Sequence, residues 1–572
     1  MSQHQWIQMY GRDFGQIIRA SPQRNVETVK FAIAKEPSKW RRIRAGLRDL
    51  LVEFCSNSTI HGISYIGSRQ RSMCEKFWWV FVFLLSLFGC GKLIDNIYRK
   101  WEENPVIITF DEETTPVWQI PFPAVTVCPE AKIKRDYLNF TDSFLKFAHR
   151  SSSNLTDVER QYLLSTLQIC DEWFHTWPTY HHIYDKYFLK DNIVHILKRI
   201  SFLADDTIYY CELNDILCKE MFTETVTEEG ICMTFNGFSS RDMFWEDSLH
   251  KDYNYLAETG PAISWSLEDG YHPDADLNSY PIRVHGSGFR AGIYVHLMTT
   301  NRDLDYHCRE SQGFKVSLHA PSEYPQVSSK FIRVTLGRDV TIAVKPQIVG
   351  TDPQLFGYKP ERRQCYFNNE RQLKFYRVYT QANCELECLT NFTLQKCGCV
   401  RFSMPRSAQT RTCETSELYC TLEAQKQLLE QNADNYIRRK AGAGTACKCL
   451  PSCNSIQYDA EITQTIFNFK ETLRLRLGPI GVPYEDMIKS KQISKLEIYF
   501  KDAQFITSKR TELYGTTDFI ASCGGILGLC MGVSLLSLVE LLYFCSIRPL
   551  MLMKRTMERK CAIVEVKTIR MC

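Results

Sequence analysis

Two apolar segments, residues 77–97 (FWWVFVFLLSLFGCGKLIDNI) and 519–544, stand about 420 residues apart and set the plan of the chain. About 20 apolar residues cross the roughly 30 Å of hydrocarbon in a bilayer, so each is long enough to span. The second is not built as a passive anchor. It carries Gly524, Gly528 and Gly532 at four-residue spacing, then Ser534, Ser537 and Glu540. Glycines in a span let backbones approach closely. A carboxylate at membrane depth costs about 2.5–3.5 kcal/mol unless it meets water or a partner. The combination describes a helix that lines something wet.

Charge sets the orientation. Residues 1–76 carry a net +7 and residues 546–572 a net +5, so residues 77–545 hold −8 of the chain's +4. Basic flanks stay cytoplasmic, which puts both termini inside and the acidic middle outside. The first 76 residues hold no short apolar core with a cleavage site, so the first span is expected to act as its own insertion signal. With two spans present, the basic ends are not read as nucleic-acid-binding.

Of 24 cysteines, 16 lie between the spans. An even, dense set in an extracellular segment is a disulfide framework. Zinc is the competing reading, but Cys397-x-Cys399 and Cys447-x-Cys449 lack the usual C-x₂₋₄-C spacing, so no metal and no cofactor are expected. The sequons at Asn139, Asn154 and Asn391 are usable outside, whereas Asn57 falls on the cytoplasmic side. His175, His181 and His182 cluster in sequence, as metal ligands or pH sensors do; scattered surface histidines give the same pattern.

Residues 106–110 and 124–128 have the β-branched content of strands, as do 292–297, 331–336 and 496–500. Residues 134–200 read as helices and loops. Residues 381–391 and 421–440 read as helices, the second closed by Gly442 and Gly444. Cys384 and Cys388, four apart on a helix, share a face at about 6 Å of rise. Cys447 and Cys449, two apart in an extended run, share a face at about 6.6 Å. The rises match, so an antiparallel helix and strand give the rungs Cys384–Cys449 and Cys388–Cys447. Cys365–Cys453 then closes the ladder, and Cys397–Cys420 and Cys399–Cys413 nest within it. Spacing alone leaves other connectivities open. Gly286-Ser287-Gly288 is not a G-x-S-x-G elbow, and no catalytic triad is evident, so an enzyme is not expected.

Four motifs in order carry a resemblance: Ser58-Thr59-Ile60-His61-Gly62-Ile63 before the first span, Phe122-Pro123-Ala124-Val125-Thr126-Val127-Cys128 after it, Gly230-Ile231-Cys232-Met233-Thr234-Phe235-Asn236, and Gly532-Val533-Ser534 in the second span. Together with the cysteine ladder they resemble the degenerin/epithelial sodium channel superfamily. Arg363-Gln364-Cys365-Tyr366-Phe367 and residues 397–406 are most similar to its insect pickpocket branch. The resemblance implies an integral membrane α+β fold: a trimer of two-span subunits under a palm, finger and thumb ectodomain. It divides this chain into a cytoplasmic region at 1–76, spans at 77–97 and 517–545, an ectodomain at 98–516 with its thumb at about 365–453, and a tail at 546–572. It further implies bridges Cys128–Cys232 and Cys211–Cys218; Cys170 and Cys308 exceed that set and are paired with each other.

The roles implied are a selectivity filter at Gly532, Val533 and Ser534, a gate region at Ala521, Gly524 and Gly528, and a gating motif at His61 and Gly62. Glu540 is expected to attract cations or pair with a neighbouring subunit. The function implied is a subunit of a non-voltage-gated, amiloride-sensitive sodium channel of the plasma membrane. It would be gated through its ectodomain in a sensory role, as a homo- or heterotrimer. Ser522 and Tyr543 stand where the acid-sensing branch has acidic residues, so proton gating does not carry over. Two rivals share parts of this pattern. A nucleotide-gated two-span trimer does not account for Gly-x-Ser or the ladder, and a two-span scavenger or adhesion receptor needs neither Glu540 nor the glycine stripe. Cys561 and Cys572 offer acylation sites on the inner leaflet, but free cytosolic thiols are the favoured reading.

Overall fold

The computed structural model describes residues 39–68, 70–103, 106–148, 155–176, 187–190, 192–250, 255–437, 447–480 and 489–554. Asn154, His181, His182, Gly442, Gly444, Cys561 and Cys572 lie outside the described residues. The chain divides into two units, Tyr98–Phe519 and Met1–Ile97 with Ile520–Cys572.

The first unit is built on alternation. In strand Ile293–Thr300, over residues 340–346 of Arg338–Thr351 and over residues 494–500 of Lys491–Phe500, every second side chain is buried, the signature of a sheet with one wet face. Arg338–Thr351 and Lys491–Phe500 run parallel, setting Val340, Ile342 and Val344 beside Leu496, Ile498 and Phe500. The sheet continues through Ile208–Leu213 and Ile216–Leu217 at one edge and through Gln504–Glu512 and Val106–Pro116 at the other, while Ser455–Ile466 pairs with Arg338–Thr351. A second sheet of five strands centres on Ala124–Pro129, all six residues of which are buried. The two sheets share one core that includes Phe122, Val125, Val127, Phe235, Phe314, Val295 and Ile342.

Helices Phe140–Ala148, Asp157–Leu167 and Ile193–Ile200 bury their apolar faces in a second core with Tyr255, Tyr376 and Phe402. Asp157–Leu167 starts at a Thr156/Glu159 capping box, which satisfies two otherwise orphaned N–H groups. His175 is no surface histidine: it is buried, and its Nε2 lies 2.8 Å from the Leu167 carbonyl. Next to this core, Glu229 is buried among three cations. Lys132 Nζ lies 3.0 Å, Lys315 Nζ 2.7 Å and Arg309 2.5 Å from its oxygens. Burial alone raises the Glu229 carboxyl, but Lys132, Arg309 and Lys315 outweigh it and hold the group well below the usual carboxylate range.

The sixteen outer cysteines form eight bonds. They are Cys128–Cys232, Cys170–Cys308, Cys211–Cys218, Cys365–Cys453, Cys384–Cys449, Cys388–Cys447, Cys397–Cys420 and Cys399–Cys413. Helix Gln381–Cys397 presents Cys384 and Cys388. Their partners are not on the extended run that the spacing suggested. Residues 448–450 belong to no strand, and Lys448 between the two cysteines has φ +49°. The local chain turns rather than extends, yet both sulfurs reach. Gly398, at φ +69°, ends the helix and turns Cys399 away from Cys397. Neighbouring cysteines thereby find separate partners, Cys420 on helix Leu418–Ile437 and Cys413 before it. Closing loops of this size contributes about 3 kcal/mol per bond. Cys399 and Cys413 also approach Glu417, but their sulfurs are spent on each other.

Candidate functional site: a broken helix and the loop that backs it

The second unit contains residues 73–97 of the long helix Met73–Glu103, which cover the first apolar segment, and the second apolar segment from Ile520 onward. The second segment is two helices, Thr516–Met531 and Leu535–Lys554, separated by Gly532, Val533 and Ser534. The second of these helices runs on to Lys554. Each residue of the interruption has a local reason. Gly532 has φ +67°, a conformation glycine takes without penalty. Its N–H still closes a turn on Gly528 (2.8 Å), while Val533 N–H reaches back to Leu527 at 3.3 Å. Ser534 is extended and caps the next helix, its Oγ accepting from Ser537 N–H. Gly-x-Ser is therefore a helix stop followed directly by a helix start.

The loop before the first span backs this break. His61 N–H donates to the Met531 carbonyl at 2.9 Å, one of the groups the ending helix leaves free. A Cβ on Gly532 would sit 2.7 Å from the His61 imidazole, so the absent side chain admits the ring. Gly62, at φ +89°, opens the short helix Ile63–Gly67. Thr59 donates to Glu540 Oε2 from its N–H (3.2 Å) and its hydroxyl (3.1 Å), and its Oγ1 lies 2.8 Å from Ser537 Oγ. Arg548 pairs with Glu53, and Phe544 meets Phe54 edge-on at 5.4 Å. Ser86 of the first span donates to the Cys530 carbonyl at 2.8 Å.

The structure thus brings His61, Gly62, Gly532, Val533, Ser534 and Glu540 into one cluster. Gly528 joins it through its carbonyl, which accepts from Gly532 N–H, whereas Ala521 and Gly524 lie outside it, up the preceding helix, and are exposed. Sequence reading missed Thr59 as the partner of Glu540, and Ser537 as the partner of Thr59. A Thr two residues before His-Gly, and a Ser three before Glu540 on one helical face, were the available signals. For glycosylation, Asn391 is exposed on helix Gln381–Cys397 and Asn139 is half-buried.

A family model described as amiloride-sensitive sodium channel matches residues 54–544. Pickpocket protein 28 of Drosophila melanogaster is 28% identical over 517 residues, 88% of this chain and 80% of that protein. Sodium channel protein Nach of Drosophila ananassae is 22% identical over 86% of each. Acid-sensing ion channel 1 of Gallus gallus is 22% identical over 85% of this chain and 82% of its own length. Among solved structures, a proton-activated chloride channel matches 82% of this chain and 96% of its own at 9% identity, with a TM-score of 0.26, too low to carry an argument.

Proposed function

The chain belongs to the amiloride-sensitive sodium channel family, and from that premise we propose that Gly532, Val533 and Ser534 form the selectivity filter of a trimeric pore. What supports the assignment is the break itself. Non-helical backbone at membrane depth survives only where it is buried in protein or lines water. The break leaves carbonyls and a serine hydroxyl beside an apolar helix end. Three copies around an axis would make a ring able to replace part of a sodium ion's hydration shell.

His61 and Gly62 are the gating motif in this reading, because the loop that carries them is hydrogen-bonded to the end of the helix that must move. Glu540 is held by Thr59 of its own chain, so it couples that loop to the inner helix as well as drawing cations. Ala521, Gly524 and Gly528, small residues on the outer half, let three helices close together. Both termini are cytoplasmic and the disulfide-bonded unit is extracellular in the plasma membrane, with Asn139, Asn154 and Asn391 open to glycosylation. The subunit assembles as a homotrimer or with related subunits, and a stimulus felt by the ectodomain reaches the pore through strand Gln504–Glu512, which precedes the second span.

The test is expression alone and with related subunits, recording currents under mechanical, osmotic, ionic and chemical stimuli. A sodium current blocked by amiloride and absent from cells expressing a Gly532→Arg chain supports the reading. Currents identical in the two chains reject it.

A further inference from the structure

Where the cysteine-bound segment meets the hairpin of Trp265–Ser266 and Gly270–Tyr271, the outer unit holds a cleft of about 100 Å³. Four rings line it. Phe238, buried at its base, meets Trp265 edge-on at 6.4 Å, and Tyr366 meets Tyr379 edge-on at 5.4 Å. The polar lining is acceptor-rich. Ser322 Oγ, in a residue 1% exposed, and Asn454 Oδ1 have no hydrogen-bond partner among the described residues. Glu268 stands at the mouth, its Oε1 accepting from Asn368 N–H at 2.7 Å.

Buried polar groups in folded proteins are normally matched, and two here, on residues that line one space, are left without a protein partner among the described residues. Asn454 Oδ1 only accepts, and the Ser322 hydroxyl accepts as well as donates, so a group that donates N–H or O–H bonds matches both. Aromatic faces attract cations, and the carboxylate at the rim selects the same sign. An anion is refused by Glu268, a neutral apolar guest leaves both acceptors unmatched, and a metal ion finds only one carboxylate. A dry cavity of about 150 Å³ takes a benzene molecule, so this cleft admits only a small head group, with any tail left in the mouth.

We propose that this cleft is an extracellular binding site for the ammonium head of a small organic amine, ringed by Phe238, Trp265, Tyr366 and Tyr379 and countered by Glu268. The site has a route to the sheet. Tyr366 follows Cys365, and its carbonyl accepts from Cys453 N–H at 2.9 Å. The Cys453 carbonyl accepts in turn from Thr351 Oγ1 at 2.6 Å, on the strand Arg338–Thr351 that pairs with Gln504–Glu512. That amine binding alters the current rests on the channel reading above; that the amine binds does not.

The experiment titrates the purified full-length chain in detergent with butylammonium, with choline, whose quaternary head carries the charge but no N–H, and with butanol, in which a hydroxyl replaces the ammonium. Tryptophan fluorescence and thermal unfolding are followed together. Butylammonium is expected to bind saturably, and choline and butanol each roughly tenfold or more weakly, the one lacking N–H donors at its head and the other lacking charge. Glu268→Gln, an exposed change that leaves the unliganded melt unaltered, weakens butylammonium binding by about tenfold, and Trp265→Leu does the same. Glu220→Gln, exposed elsewhere on the unit, leaves binding unchanged. The proposal is overturned if butylammonium does not bind, if butanol or choline binds as well as butylammonium, or if Glu268→Gln binds butylammonium like the parent. A chain that binds butylammonium in this pattern but carries no current refutes the channel reading and leaves the site standing.

Discussion

Glu229→Gln removes one charge and almost no volume from the most highly charged part of the outer unit's interior. The carboxylate it deletes is the shared partner of Lys132, Lys315 and Arg309, all within 3.0 Å, the two lysines buried and the arginine half-buried. Breaking a buried pair by removing one member costs about 3–5 kcal/mol, because the other charge stays behind. Glu130, 3.8 Å from Arg309 and 3.6 Å from Arg333, compensates in part, so the low end, about 3 kcal/mol, is expected. For a unit of this size that is a fall in Tm of roughly 3–6 °C. The assay is thermal unfolding of the full-length protein followed by size-exclusion chromatography. Adding Lys315→Met to Glu229→Gln should recover part of the loss, with a coupling above about 1 kcal/mol. The sign with pH also follows. The folded carboxyl is held well below its ordinary 4.5, so its contribution is full above that value and fades only as pH falls through the depressed one. The variant lacks that acid limb. A melt within about 1 °C of the parent, or strictly additive single effects, would refute the reasoning.

Three further outcomes are expected. Gly532→Ala places a Cβ 2.7 Å from the His61 ring at φ +67°, costing about 1–2 kcal/mol in backbone alone; sodium current per surface subunit should drop several-fold, and an unchanged current argues against the close approach of loop and break. Ala521→Val should hold the channel open by steric obstruction, read as a standing whole-cell current absent from the parent. His319, pushed down to about 4 by burial, sits with Nδ1 3.0 Å from the Ala320 carbonyl and Nε2 2.9 Å from Thr126 Oγ1. Its unfolded form takes a proton from pH 6.5 downward, so it removes up to about 3 kcal/mol of stability as pH falls from 6.5 to 4. Glu323, raised to about 7 by burial, acts in the opposite sense, so melts of His319→Gln should gain stability from pH 7 down to 4.5, and a variant tracking the parent would contradict this.

Much of this architecture is legible in the sequence where a pattern is repeated. Alternation at 292–297 and 496–500 marks strands that the structure makes neighbours, and matched spacings at 384/388 and 447/449 select rungs that the structure bonds. The second example carries a lesson. The extended run assumed for 447–449 is instead a turn, and the bonds form because side-chain reach tolerates local backbone detail. Gly532 and Ser534 are readable as stop and start signals, but hydropathy runs unbroken across them and hides the two-helix form. Contacts between residues hundreds of positions apart, such as Thr59 with Glu540 or Lys132 with Glu229, leave no periodic trace. The same holds for the ring-lined cleft, whose walls come from six separate stretches of chain.

The central claim is that the unwound stretch at 532–534 lines the path of the ions. The direct measurement introduces Ser534→Cys in a chain with Cys523, Cys530 and Cys545 replaced by serine, and applies a small thiol-reactive cation during recording. Phe81→Cys, on the exposed face of the first span, serves as the comparison. The account predicts that modification at 534 abolishes most of the sodium current and that modification at 81 leaves it intact. A current untouched by a fully labelled Cys at 534 would contradict it.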